Sequence, residues 1–354
     1  MADADLMIDG NDVDLDYGDK EYGELVDGVR IFFERRGELL STSVSGAVGL
    51  TAARERWQAL CDLGLPSLLA DPPTGVGAPL TAAVGVAECL GAVLVPEPAV
   101  SAMVIGRVVE RGGAGQGLLA DIGAGRRIVA LGCADGVRLH SDGSVSGAVR
   151  MIADGLSDAV ALPGRTETGE PRLAVVEVGG LPPATDRSAI EPGRPVLRYC
   201  LDRVSTQEVL PVRVETASEV LRDQVLLTSA ELVGGMAQVL HLTVHHLRRR
   251  RQFGRSLAGL QAVKHQLADM YVGVQQARAV VRHAAFSCVG ARPGQADADV
   301  AAATRWTTAA AIGLYERAVQ LHGAMGYTWE LGVHLYLRRA LAVREVLGGW
   351  GRHR

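Results

Sequence analysis

Two long helical patterns meet at Phe253-Gly254, and that junction constrains what this chain can build. Upstream, Val233, Met236, Ala237, Leu240, Val244 and Leu247 recur at the spacing of one helix face. Downstream, Val263, Leu267, Met270, Val274 and Ala277 do the same. Between them Phe253-Gly254 breaks the first helix. Arg248 to Arg251 load its last turn, where cations complement the helix dipole. Taken alone, such a run reads either as a solvated helix end or as a fork of donors waiting for an anion.

At 354 residues the chain exceeds what one core usually organises, so two or three domains are expected. Aromatics are few and Ala and Gly abundant, which favours close-packed helices over a large sheet. A net charge of −4 gives no reason to expect nucleic acid or an anionic membrane as partner. The acidic start, Met1-Ala-Asp-Ala-Asp-Leu, carries no secretory pattern, and Thr81–Val95 is too short for a membrane span. Five scattered cysteines without a Cys-x-x-Cys pair read as reduced thiols, so a cytoplasmic location is expected. No His/Cys/carboxylate spacing matches a metal site. His241, His245 and His246 share a helix and read as packing or a polar helix face.

Taken in order, residues 1–20 are weakly patterned and acidic, a mobile arm. Residues 21–126 show helical periodicity, interrupted by a Gly/Pro-rich turn at Pro72–Pro79. Gly112–Gly117 and Gly123–Gly125 do not fit a dinucleotide loop and are expected as turns. Across 127–214 the period changes to short β-branched runs between turn residues, the pattern of a small antiparallel β-domain. Residues 215–354 predict four helices, near 216–250, 258–289, 296–322 and 330–347, with loops short enough for an antiparallel bundle.

Arg250-x-x-Phe253-Gly, followed by Leu260-Gln-Ala-Val and Leu267-Ala-Asp-Met, resembles the signature of the acyl-CoA dehydrogenase family. Gln320-Leu-His-Gly-Ala-Met-Gly-Tyr is similar to that family's Gln-x-x-Gly-Gly-x-Gly-Tyr turn, with Ala324 in place of one glycine, and His334–Arg338 fits its closing helix. The resemblance implies a mainly α fold with a β insert: an N-terminal helical domain, a middle antiparallel β-domain and a C-terminal four-helix domain. It implies FAD as cofactor, held across a subunit interface by Arg250, Phe253, Gln320, Gly323 and Gly326. It places the Pro72–Pro79 turn near an acyl pocket, although a plain interhelical loop reads equally well. A planar guanidinium fork suits a diphosphate, and glycines let backbone approach a cofactor closely.

The family reaction removes an α-proton from an acyl-CoA thioester while a β-hydride moves to the flavin, and it needs a desolvated carboxylate beside Cα. Counted from Tyr336 and Arg338, the usual base position is Leu347; counted back from Phe253, the second family position is Gln224. Neither can take a proton. Asp223 and Glu345 are the nearest replacements; with Glu219 and Glu231 they otherwise read as solvated helix-face charges. The family's Thr-Glu-Pro…Gly-Ser-Asp flavin loop is also missing, its place reading Leu131–His140. No catalytic residue is therefore assigned. The resemblance then implies a heterotetramer in which this chain lends its cofactor-binding motifs to a paralogous subunit with the base, as in two-gene enzymes acting on bulky steroid side-chain thioesters. Two alternatives stand beside it: a self-sufficient homomeric dehydrogenase with a relocated base, and a non-redox acyl-CoA-binding or scaffold protein.

Overall fold

A computed structural model describes residues 20–35, 50–152, 156–188, 190–214, 217–290 and 294–347. The expected acidic arm lies outside the described residues except for Lys20. Five helices open the described chain: α1 (Lys20–Arg35), α2 (Leu50–Asp62), α3 (Leu80–Ala92), α4 (Ala99–Gly112) and α5 (Gln116–Gly123). Helix α3 is buried over most of its surface, as its Ala/Val/Leu composition without a polar stripe requires. The Gly112–Gly117 stretch is the expected turn, with Gly113 and Gly115 at φ +71° and +83° between α4 and α5.

The middle of the chain forms strands β1 (Val129–Leu131), β2 (Cys133–Leu139), β3 (Ser144–Ile152), β4 (Ala159–Thr166), β5 (Pro171–Glu177), β6 (Asp186–Ser188), β7 (Val196–Ser205) and β8 (Glu208–Pro211). They make one sheet in the order β6-β7-β3-β2-β4-β5-β8, with β1 also against β4. The sheet is mixed, which corrects the purely antiparallel expectation. Val129–Leu131 runs parallel to Ala159–Ala161, and Arg138-Leu139 runs parallel to Arg165-Thr166. In consequence the β1–β2 stretch flanks one side of β4, and β4 completes its other edge antiparallel to β5. The segment expected to match the family's flavin loop is thus largely a strand, β2, paired to β3 with a bulge between Asp135 and Arg138.

Helices α6 (Glu219–Arg249), α7 (Gln261–Gly290), α8 (Gln295–His322) and α9 (Val333–Leu347) follow. Each lies close to its sequence expectation, because each repeats a buried face at 3.6-residue spacing. By length and composition α6 could cross a membrane, but 78% of its apolar window is buried inside the protein, the condition of a central core helix.

The N-terminal and C-terminal helices share one hydrophobic core, joining Trp57, Leu90 and Met103 to Leu226, Met236, Val274 and Tyr315. A second, smaller core of Val137, Val149, Leu162, Val176 and Leu201 fills the outer part of the sheet. Helices α3 and α6 are antiparallel and touch at the backbone. Gly91 sits against the carbonyl of Glu231, and Gly234 sits against that of Glu88. Two Glu-x-x-Gly sequences, Glu88–Gly91 and Glu231–Gly234, thus oppose each other across one crossing.

Candidate functional site at the α6 and α8 helix ends

Helix α6 stops at Arg249, and Arg250 is already extended at φ −71°, ψ 121°. Its N–H still donates to the His246 carbonyl at 2.8 Å, and its own carbonyl accepts from Leu257 N–H at 2.9 Å. Arg251-Gln252 then pairs antiparallel with Arg255-Ser256 in a minimal hairpin. Both connecting residues, Phe253 and Gly254, have positive φ, +53° and +76°, as a two-residue type I′ connection demands. Glycine does this freely; phenylalanine does not. Phe253 is held there with 84% of its surface exposed. A bulky ring at positive φ is a strained placement, and its exposure leaves it open to contact.

Helix α8 ends at His322, and the backbone swings away through Gly323 at φ 62°, ψ −140° into a tight turn over Gly323–Tyr327. Gln320 is exposed on the last turn of the helix. Gly326 is buried, and a Cβ there would stand 2.6 Å from the Val319 carbonyl oxygen, so the turn can close only with glycine at that position. The turn presents Met325, Tyr327 and Trp329 to solvent.

Seventy residues separate the two motifs, and a pair of rings brings them together. His246, on the last turn of α6, stacks on His322, the last residue of α8, with centroids 4.6 Å apart and planes 31° apart. The sequence reads His246 as packing or a polar helix face and gives His322 no role of its own. His322 Nδ1 donates to the Ala318 carbonyl at 2.8 Å, which fixes the tautomer and leaves Nε2 a lone pair. That Nε2 is buried without a hydrogen-bond partner among the described residues. Burial pulls the pKa of both rings below the ordinary histidine value; for His246 the neighbouring His322, Arg250 and His245 lower it further.

The positions where a base would be sought behave differently. Leu347 is buried at the end of α9, and Gly348 lies outside the described residues. Gln224 is half-buried; its Nε2 donates to Thr228 Oγ1 at 3.4 Å, and its Oε1 is buried without a partner. The reading of nearby carboxylates as solvated is corrected for two of them. Asp223 is 1% exposed and pairs through Oδ2 with Arg107 and through Oδ1 with Arg222. Burial raises its pKa against the pull of Arg107 and Arg222, and the guanidinium contacts on both oxygens make it half of a buried ion pair that joins α4 to α6. Glu231 is buried and accepts from Arg194 Nη1 and Nη2 at 3.2 and 3.1 Å. Glu345 is half-buried and tied to Arg198 of β7 at 3.0 Å, joining the last helix to the sheet.

Arg194 also donates to the carbonyls of Pro96 and Glu97, and Arg339 of α9 pairs with Glu191 at 2.6 Å. Glu97 is held by Arg56 at 2.7 Å. This balanced cluster of buried charges locks the α3–α4 connection to the segment before β7 and to helices α6 and α9. Sequence inspection missed it, because its members lie far apart in the chain and no spacing links them. Among the described residues no group of His, Cys, Asp and Glu could hold a metal ion.

Residues 214–350 match the family model for the acyl-CoA dehydrogenase C-terminal domain. This stretch is therefore an acyl-CoA dehydrogenase C-terminal domain. It is 42% identical over 123 residues to acyl-CoA dehydrogenase IpdE2 of Mycobacterium tuberculosis, an alignment covering 34% of this chain and 36% of that protein. The chain thus matches little more than a third of that relative's length. Over nearly its whole length it shares a fold with solved structures. With the ChsE4-ChsE5 complex from Mycobacterium tuberculosis the TM-score is 0.78 at 23% identity, covering 94% of this chain and 95% of that one. With a glutaryl-CoA dehydrogenase from Mycobacterium smegmatis in complex with FADH2 it is 0.73 at 17% identity, covering 95% of each. At these identities the likeness is one of fold.

Proposed function

We propose that this chain is a subunit of a flavin-dependent acyl-CoA dehydrogenase that completes the FAD site of a paralogous partner and leaves the proton abstraction to it. The observation that carries this reading is the closure of the Arg250 hairpin against the Gly323 turn through His246 and His322, while the motif side chains point outward. Arg250, Phe253 and Gln320 are exposed, so they fit a cofactor held by a neighbouring subunit. Arg250 suits the diphosphate, Gln320 can donate or accept, and the Gly323 and Gly326 backbone allows close approach. FAD, when bound, supplies the hydride acceptor for α,β-desaturation of an acyl-CoA.

The division of labour follows from the base positions. Leu347 has no basicity, an amide stands at Gln224, and Asp223 and Glu345 are committed to arginines. That commitment weighs against a homomeric enzyme with a relocated base. Exposed apolar residues on the last domain (Phe286, Val289, Trp306, Tyr327 and Trp329) give a partner a surface to cover. The neighbouring fold of ChsE4-ChsE5 is itself that of a two-component complex. Domain limits at 21–126, 127–214 and 215–354 belong to the same reading.

The test is co-expression with a family paralogue that carries the glutamate. The complex should be yellow and reduce a dye with acyl-CoA, and Arg250→Ala should release the flavin. A chain that is yellow and active alone sinks the division of labour, and a complex that stays colourless favours a non-redox acyl-CoA-binding role.

A further inference from the structure

The contact between His246 and His322 lies directly behind the two cofactor-binding segments, and the reading of those segments as a diphosphate site gives it a consequence. The His246 carbonyl holds the first residue of the hairpin, Arg250, through its N–H at 2.8 Å. His322 is the last helical residue before Gly323. The stack therefore joins the backbone anchor of the hairpin to the residue that precedes the glycine turn.

His322 is 5% exposed. Its Nδ1–H is spent on Ala318, and its Nε2 lone pair is buried unpaired, a costly state for an acceptor. The Leu242 carbonyl of α6 also lies on this ring and favours its charged form. Carbonyls on both helices thus surround an imidazole that can offer only one N–H while neutral; an imidazolium offers two. Opposing the second proton are burial and, at His246, the neighbouring His322 ring, the Arg250 guanidinium and the His245 ring.

We infer that His246 and His322 are a proton-linked positioning pair: a diphosphate bound at Arg250 is coupled to uptake of a proton by the stack, which ties the end of α6 to the end of α8. The sign follows from the charges. In the free chain burial disfavours the charged form of both rings, and at His246 the Arg250 cation adds to this. A bound anion cancels the field of Arg250, so the pKa of the pair moves upward. Binding and protonation then favour each other, and the affinity rises as pH falls.

This can be measured on the flavin-free complex of this chain with its paralogue, with ADP-ribose as the probe. Its diphosphate is doubly esterified and does not titrate in this range. In the chain labelled with 13C-histidine, saturating ADP-ribose should move the titration of the His246 and His322 rings upward. Its affinity should climb several-fold from pH 7.5 to pH 5. His322→Phe keeps a stacked ring that cannot take a proton, so it should still bind ADP-ribose but with a flat pH profile. Unmoved ring titrations, or a pH slope that persists in the His246→Phe/His322→Phe chain, would overturn the coupling while leaving the cofactor site standing. Failure of ADP-ribose to bind at any pH would remove the diphosphate reading of Arg250, and this inference with it.

Discussion

Gly91 and Gly234 hold α3 and α6 in backbone contact: a Cβ on Gly91 would stand 1.9 Å from the Glu231 carbonyl oxygen, and one on Gly234 would stand 1.8 Å from that of Glu88. No rotamer change relieves such a clash, because the obstacle is main chain on both sides. Gly91→Ala and Gly234→Ala should each cost about 3 kcal/mol, the upper end for overpacked cores. One separation of the helices relieves both clashes, so the double variant should lose well under the sum. Urea denaturation of the full chain checks this, and losses under about 1 kcal/mol would show that the helices do not meet there.

Next to that crossing, Glu88 is buried and accepts from Arg278 Nε at 2.9 Å and Nη2 at 2.8 Å. Glu88→Leu removes the carboxylate and leaves the guanidinium behind, which should destabilise by about 3–5 kcal/mol. Replacing both, as Glu88→Leu/Arg278→Met, should restore most of that loss. A double variant as unstable as the single one would mean that the pair contributes specific geometry that apolar packing cannot replace.

Phe253 should trade stability for contact. Asparagine tolerates its positive φ far better, so Phe253→Asn should stabilise the isolated chain by about 1 kcal/mol. The same substitution should lower the flavin content of the co-expressed complex. A thermal melt and the flavin-to-protein absorbance ratio read the two effects separately. A complex that keeps its full flavin would strip the ring of its assigned contact.

Thiol reactivity should follow burial. Cys200 is exposed on β7, whereas burial pushes the thiols of Cys61 and Cys89 up to about 12 and that of Cys288 to about 11. A raised thiol pKa keeps the unreactive protonated form at working pH, so those three should resist iodoacetamide at pH 8 until the chain unfolds. Mass spectrometry should find Cys200 alkylated far ahead of them. Equal labelling of Cys61 in the native chain would contradict its packing against the Ile122 carbonyl.

The helices were legible because a buried stripe repeats every 3.6 residues whatever it packs against. Four were expected near 216–250, 258–289, 296–322 and 330–347, and they occur at Glu219–Arg249, Gln261–Gly290, Gln295–His322 and Val333–Leu347. The strands were legible too, but not their direction. Val129–Leu131 and Ala159–Ala161 are unbroken apolar runs, buried throughout, and such a run shows burial on both faces without showing which way its neighbour runs. The buried charges were illegible for a related reason. Glu231 at a helical spacing looks like any solvated carboxylate until Arg194, 37 positions earlier, closes on it. At the site, the Arg250 and Gly323 motifs stood out one by one. Their meeting through His246 and His322 required the fold.

The single core that runs from Trp57 through Met103 to Tyr315 has a consequence for how such chains diversify. Its first and last thirds are halves of one folding unit, interrupted by a sheet that lends one face to that core and keeps a smaller interior of its own. A β segment exchanged between such chains would have to keep the apolar face, Val129, Leu131, Leu173 and Val175 among it, that enters this core. The two helical segments have to be inherited together, since either one transplanted alone would carry half an interior into water.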